Sequence, residues 1–186
     1  LNINPKKDIC NFTQDLKNKK YELFNNYITS YNDNIDVLAC PNNPKEAFKV
    51  DFSNLANIFM LVKTKYDVIL IDTMHGLNEL NLLILEMSDI NLFLITNDPY
   101  DLKNSKNLLS IFKEAHLENY RIILNEAKDA SKNYFSIYDI KRFINNNIDY
   151  IIPKAFYMKD IDKYILNGEI LILNESIKKK HKKSYD

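Results

Sequence analysis

The chain has 186 residues, 46% of them hydrophobic and 27% charged, and its formal net charge is zero. That length is enough for one domain with a sizeable core, and the balanced charge supplies no whole-protein field that would steer it to nucleic acid. Apolar runs fall well short of the roughly 18 residues of a membrane-spanning helix, and nothing at the start reads as a secretory signal. The two cysteines, Cys10 and Cys40, have no metal or redox spacing and are too few for a disulfide framework, which points to a reducing cytoplasm.

The chain begins Leu1-Asn2-Ile3-Asn4-Pro5, without an initiator Met. Leu1 and Ile3 alternate with polar residues like the end of a strand already under way, so the expectation is a piece of a longer polypeptide. A polar stretch runs to Lys20, and Leu16, Leu23, Phe24, Tyr27 and Tyr31 then predict one or two short helices. Ile35 to Ala39 reads as a strand closed by the turn Pro41-Asn42-Asn43-Pro44. Asp51 can cap a helix with Phe52, Leu55, Ala56, Phe59 and Val62 inward.

Tyr66-Asp67-Val68-Ile69-Leu70-Ile71-Asp72 has four consecutive aliphatics and reads as a strand buried on both faces, followed four positions after Asp72 by Gly76. A helix is predicted over 77–87, and a second buried strand over 90–96. Asp98-Pro99 starts the next helix, with Asp at the cap and Pro at the first position. Tyr120 to Leu124 is a strand ending at Asn125. Ser136, with Asp139 three residues on, opens a helix carrying Ile137, Ile140 and Phe143 inward. Asp149 to Ile152 is a strand stopped by Pro153, and a last helix ends at Asn167-Gly168. The alternation predicts an α/β fold: a doubly wound parallel sheet of about five strands plus the N-terminal stub, with helices on both faces. Residues 1–173 form a single domain in this reading, and 174–186 a basic tail.

Chemistry in such a sheet gathers at the carboxyl ends of the strands. Two readings stand for Asp72: a cap for the next helix, or a carboxylate holding a Mg²⁺-bound water. Gly76 lets backbone N–H groups approach a phosphate. Asn125 is either a turn residue or an amide whose donor and acceptor read an adenine edge. Asp98 reads as a cap. His75 is either a titrating group or an uninvolved turn residue.

Taken in order, Val68-Ile69-Leu70-Ile71-Asp72-Thr73-Met74-His75-Gly76, Ile122-Ile123-Leu124-Asn125, Ile151-Ile152-Pro153 and Val37-Leu38-Ala39-Cys40-Pro41 resemble the motifs of the MinD/ParA superfamily of P-loop ATPases. The resemblance is closest to the CpaE/TadZ branch linked to pilus assembly and polar localisation. It implies a Walker B aspartate at Asp72 that orients Mg²⁺ through water, a switch glycine at Gly76, an adenine-reading Asn125, and Pro153 beside the nucleotide. ATP and Mg²⁺ would be held in a homodimer that recruits pilus, secretion or polar-localisation proteins, with no nucleic acid and at most weak membrane contact through Lys178–Lys183. Two departures stand out. The only glycines are Gly76 and Gly168, so no window can serve as a Walker A loop. In the family that loop precedes the switch I strand, which Leu1-Asn2-Ile3-Asn4-Pro5 resembles. Asn2 and Asn4 stand where the family has Asp, and an amide is neither a base nor a negative ligand. The alternative is therefore a catalytically inactive pseudo-ATPase scaffold. A two-component receiver is a third reading, opposed by the two strands between Asp72 and Lys154 where a receiver has one.

Overall fold

A computed structural model describes residues 3–20, 24–47, 50, 53, 55–73, 76–126, 135–153, 161–170 and 173–175. They fall into two units, Leu1–His75 with Ile165–Glu169, and Gly76–Tyr164 with Ile170–Asp186.

In the first unit, helix α1 (Ile9–Lys17) starts at a capping box: the Asp8 carboxylate accepts from the Asn11 N–H, and the Asn11 side chain accepts from the Asp8 N–H. It buries Cys10, Phe12 and Thr13, and the Phe12 ring packs against Phe24 and Tyr27 at centroid distances of 5.2 and 4.9 Å. Strands β1 (Ile28–Asn32) and β2 (Ile35–Leu38) form an antiparallel hairpin, Ile28 facing Leu38. This corrects two expectations. The helical spacing of Phe24, Tyr27 and Tyr31 loses to β-branched Ile28, Thr29, Ile35 and Val37 on either side of the Asp33-Asn34 turn. The Ile35 strand is antiparallel because its partner is the strand just before it, joined by that short turn.

Helix α2 (Pro44–Ala47) follows, then α3 (Leu55–Lys63), which buries Leu55, Ile58, Phe59 and Val62 and leaves Ala56 exposed. Asp51 and Phe52 lie outside the described residues. The largest correction concerns the stretch after α3. Residues 67–73 form no strand, Val68 is 73% and Leu70 87% exposed, and Ile71 is exposed too. A parallel strand is buried only when flanked and covered, and no strand among the described residues pairs with this one.

Two tyrosine hydroxyls fix this unit to its acids. Tyr27 donates to Asp15 at 2.6 Å and Tyr66 to Asp36 at 2.8 Å. Desolvation, then the bond to the carboxylate, then its charge push both phenols up to about 12. Each folded pKa exceeds its unfolded value near 10, so the stabilisation is complete below about pH 10 and lost as pH rises through about 12. Following tyrosinate absorbance, Tyr27 and Tyr66 should ionise late, and Tyr27→Phe should remove one late-ionising phenol. Ordinary titration of both would refute these contacts.

In the second unit, α4 (Glu79–Met87), β3 (Asn91–Thr96), α5 (Pro99–Glu114), β4 (Tyr120–Asn125), α6 (Ile137–Ile144) and β5 (Tyr150–Ile152) alternate as expected. The strands form a parallel sheet in the order β3-β4-β5. The architecture is α/β with a parallel sheet and helices. Asp98 caps α5, its carboxylate accepting from the Tyr100 and Asp101 N–H groups, with Pro99 at the first helical position. Ser136 and Asp139 make the capping box of α6. The Ser136 hydroxyl and then its backbone N–H, both donating to Asp139, hold that carboxyl below its usual pKa. Asn145, in the left-handed region at φ 53°, ends the helix.

The core joins Ile95, Ile122 and Leu124 of the sheet to Leu102, Leu109 and Phe112 of α5 and Ile140 and Ile144 of α6. The alternate residues Leu92 and Leu94 are exposed. Phe93 and Ile123 are only partly buried, and on β4 the full burial falls on Ile122 and Leu124, which join the helix residues in the core. Ile137 and Phe143 likewise sit at the rim of α6, with Ile140 and Ile144 turned inward. Helix α7 (Ile161–Leu166) precedes Gly168, whose φ of 70° fits the predicted helix-ending glycine.

Candidate functional site

Parallel register brings the strand ends together. Thr96 pairs with Asn125, and Asn125 pairs with Ile152, so the three carboxyl ends finish level and Pro153 follows directly. Asn125 is exposed at this edge and Pro153 half-buried. The Glu126 N–H donates to the Ile152 carbonyl at 3.0 Å, which carries the β4–β5 pairing one residue past Asn125. The sequence reading overlooked Asp101. Its carboxylate accepts from the Thr96 N–H and, at 2.9 Å, from the Thr96 hydroxyl, fixing the tip of β3 to the first turn of α5. The signal was available: an acid two residues after a proline at the first helical position faces back over the strand it follows.

Gly76 leads into α4. Its φ is 108°, a conformation open to glycine and strained for any side chain, although an added Cβ would meet nothing within 4 Å. Its carbonyl accepts from the buried Asn81 amide at 2.6 Å, while the Asn81 N–H donates to the Asn78 cap at 2.8 Å. The adjoining Leu77 packs on the core that contains Ile95. Because the surroundings are empty, Gly76→Ala should cost only its backbone strain, about 1–3 kcal/mol. A melting temperature unchanged by that substitution would contradict the assigned turn.

Asp72 lies exposed in the irregular stretch of the first unit, directly after Ile69-Leu70-Ile71. It is not the N-cap of α4, which is Asn78. His75 and Met74 lie outside the described residues. An exposed amide at Asn125 has the donor and acceptor that an adenine edge needs. A phosphate cradle needs several convergent N–H groups, and Gly76 alone supplies no such cluster. A cleft of about 790 Å³ opens at the other end of the sheet, where β4 and β5 begin, beside Lys113, His116, Tyr120 and Asp149. None of the candidate residues lines it.

No protein-family model matches the chain, and no curated protein matches its sequence. Solved structures do. The chain is similar to a ParA family ATPase from Chlorobium tepidum TLS, with a TM-score of 0.78 and 19% identity over 98% of this chain and 72% of that one. It is similar to the septum site-determining protein MinD complexed with Mg-ADP from Pyrococcus horikoshii OT3, with a TM-score of 0.70 and 18% identity over 100% and 71% of the two chains. A chain of the MinC:MinD cell division protein complex of Aquifex aeolicus aligns with a TM-score of 0.57 and 18% identity, over 74% and 60%. Identity this low carries the fold alone, and that fold is the α/β P-loop NTPase fold of the ParA and MinD ATPases.

Proposed function

We propose that the chain is the larger part of a nucleotide-switch domain of the ParA/MinD type, from the CpaE/TadZ branch that serves pilus or secretion assembly or polar localisation. The observation that carries this reading is the level edge Thr96–Asn125–Ile152, which puts Asn125 opposite the residue before Pro153 at the carboxyl ends of a parallel sheet. In this fold the MinD of Pyrococcus horikoshii holds Mg-ADP. Asn125 reads the adenine edge, Pro153 lines the base, and the Gly76 turn approaches the γ-phosphate. Asp72 orients Mg²⁺ through water. The phosphate loop comes from a segment that these 186 residues do not contain, since two separate glycines cannot build it. Residues 1–173 act as one domain in the cytoplasm, with 174–186 as a tail. The switch works as a homodimer that recruits an assembly or localisation protein, as MinD meets MinC in the Aquifex aeolicus complex.

Asn2 and Asn4 favour a second reading, a scaffold that keeps the fold and a partner surface but no turnover. Backbone amide spectra of the chain under rising Mg·ADP separate the two. The switch reading expects shifts at Thr96, Asn97, Asn125, Glu126 and Ile152, saturating in the range of about 1 mM or above, and their loss in Asn125→Ala. Shifts confined to other residues, or none at all, would leave the scaffold.

A further inference from the structure

Cys10 and Cys40 are far apart in sequence, but the fold of the first unit brings their neighbours into contact. The N–H of Ile9, the first residue of α1, donates to the carbonyl of Ala39, the residue after β2, at 2.9 Å. Each cysteine is the next residue along. The peptide geometry on either side of that N–H···O bond bounds the separation of the two cysteine Cα atoms at about 10 Å, so closing a disulfide, which needs roughly 4.4–6.8 Å, takes a local backbone movement. Cys40 sits in irregular backbone before Pro41, outside any helix or strand, and it is exposed. Cys10 is buried in the first turn of α1, with its Sγ accepting from the Gln14 amide at 3.5 Å.

We infer that Cys10 and Cys40 are a redox-sensitive pair that a low-molecular-weight disulfide can join. The Cys40 thiolate attacks oxidised glutathione, forming a mixed disulfide and releasing one glutathione thiolate. Fraying of the first turn of α1 exposes Cys10, whose thiolate attacks the Cys40 sulfur and releases the second. The two cysteine protons pass to the two glutathione thiolates, so the protein loses two hydrogens and one glutathione disulfide is reduced. The product ties the start of α1 to the end of β2. In a reducing compartment it forms only under oxidative load.

The test is intact-mass analysis of the full chain after oxidised glutathione treatment, with remaining thiols alkylated under denaturing conditions. The expected product is monomeric, lighter by two hydrogens, and has gone from two alkylatable thiols to none. Cys10→Ala should stop at a glutathione adduct on Cys40, and Cys40→Ala should keep Cys10 unmodified while folded. A wild-type chain that stops at the Cys40 adduct with Cys10 still alkylatable, or that couples to a second chain, overturns the pairing.

Discussion

Ile122→Ala should lower the stability of the second unit by about 2–5 kcal/mol, the cost of removing buried aliphatic atoms and leaving the space they filled. Ile122 is 0% exposed and belongs to the same buried cluster as Ile95, Leu124 and the inward residues of α5 and α6. The control is one residue position away on the neighbouring strand. Leu94 is aliphatic, lies in the same sheet and is 57% exposed, so Leu94→Ala should cost well under half as much. Denaturant melts of both variants decide the matter. Equal losses would mean that the Leu94 side of the sheet is covered as tightly as the helix side, and a loss below about 1 kcal/mol at Ile122 would remove this cluster as the core.

The contrast between those residues also explains what the sequence could reveal. Helix starts were legible because their causes are local: Asp98 before Pro99, and Ser136 three residues before Asp139, satisfy backbone N–H groups within their own turn. Strands β3, β4 and β5 were legible as apolar runs between those helices. Which side of each run is buried was not, because Leu92-Phe93-Leu94-Ile95 is apolar on both sides and only the packing of α5 and α6 separates them. Val68 to Ile71 shows the same ambiguity in stronger form. Its composition demands burial, but burial depends on neighbouring strands that composition does not specify. The hairpin of β1 and β2 was missed because aromatic spacing imitated a helix across a turn whose signal is only Asp33-Asn34. At the candidate site, Asn125 and Pro153 were legible as marks of strand ends, and the register sets Asn125 level with Ile152, the residue before Pro153. The clamps that hold the edge, Asp101 on Thr96 and Asn81 on Gly76, depend on side chains folding back over their own strand or turn, which spacing alone suggests only weakly.

The second large effect is a deficit in nucleotide affinity. Phosphate binding draws on clustered backbone N–H groups, a loop lysine and a helix N-terminus. This chain has two glycines, Gly76 and Gly168, and so no loop of that kind. On the proposed function, what is left to hold a nucleotide is Asp72 for Mg²⁺ through water, the Gly76 turn and one base edge at Asn125. On the same proposal, the Asp72 carboxylate without the metal would repel the phosphates. Binding should therefore rest on the base and on weak ionic contact. Isothermal titration of Mg·ATP into the 186-residue chain measures this directly. The predicted dissociation constant is about 1 mM or weaker, equivalent to about −4 kcal/mol. Micromolar binding would contradict the account, because it would require a phosphate site among residues that contain no loop able to make one.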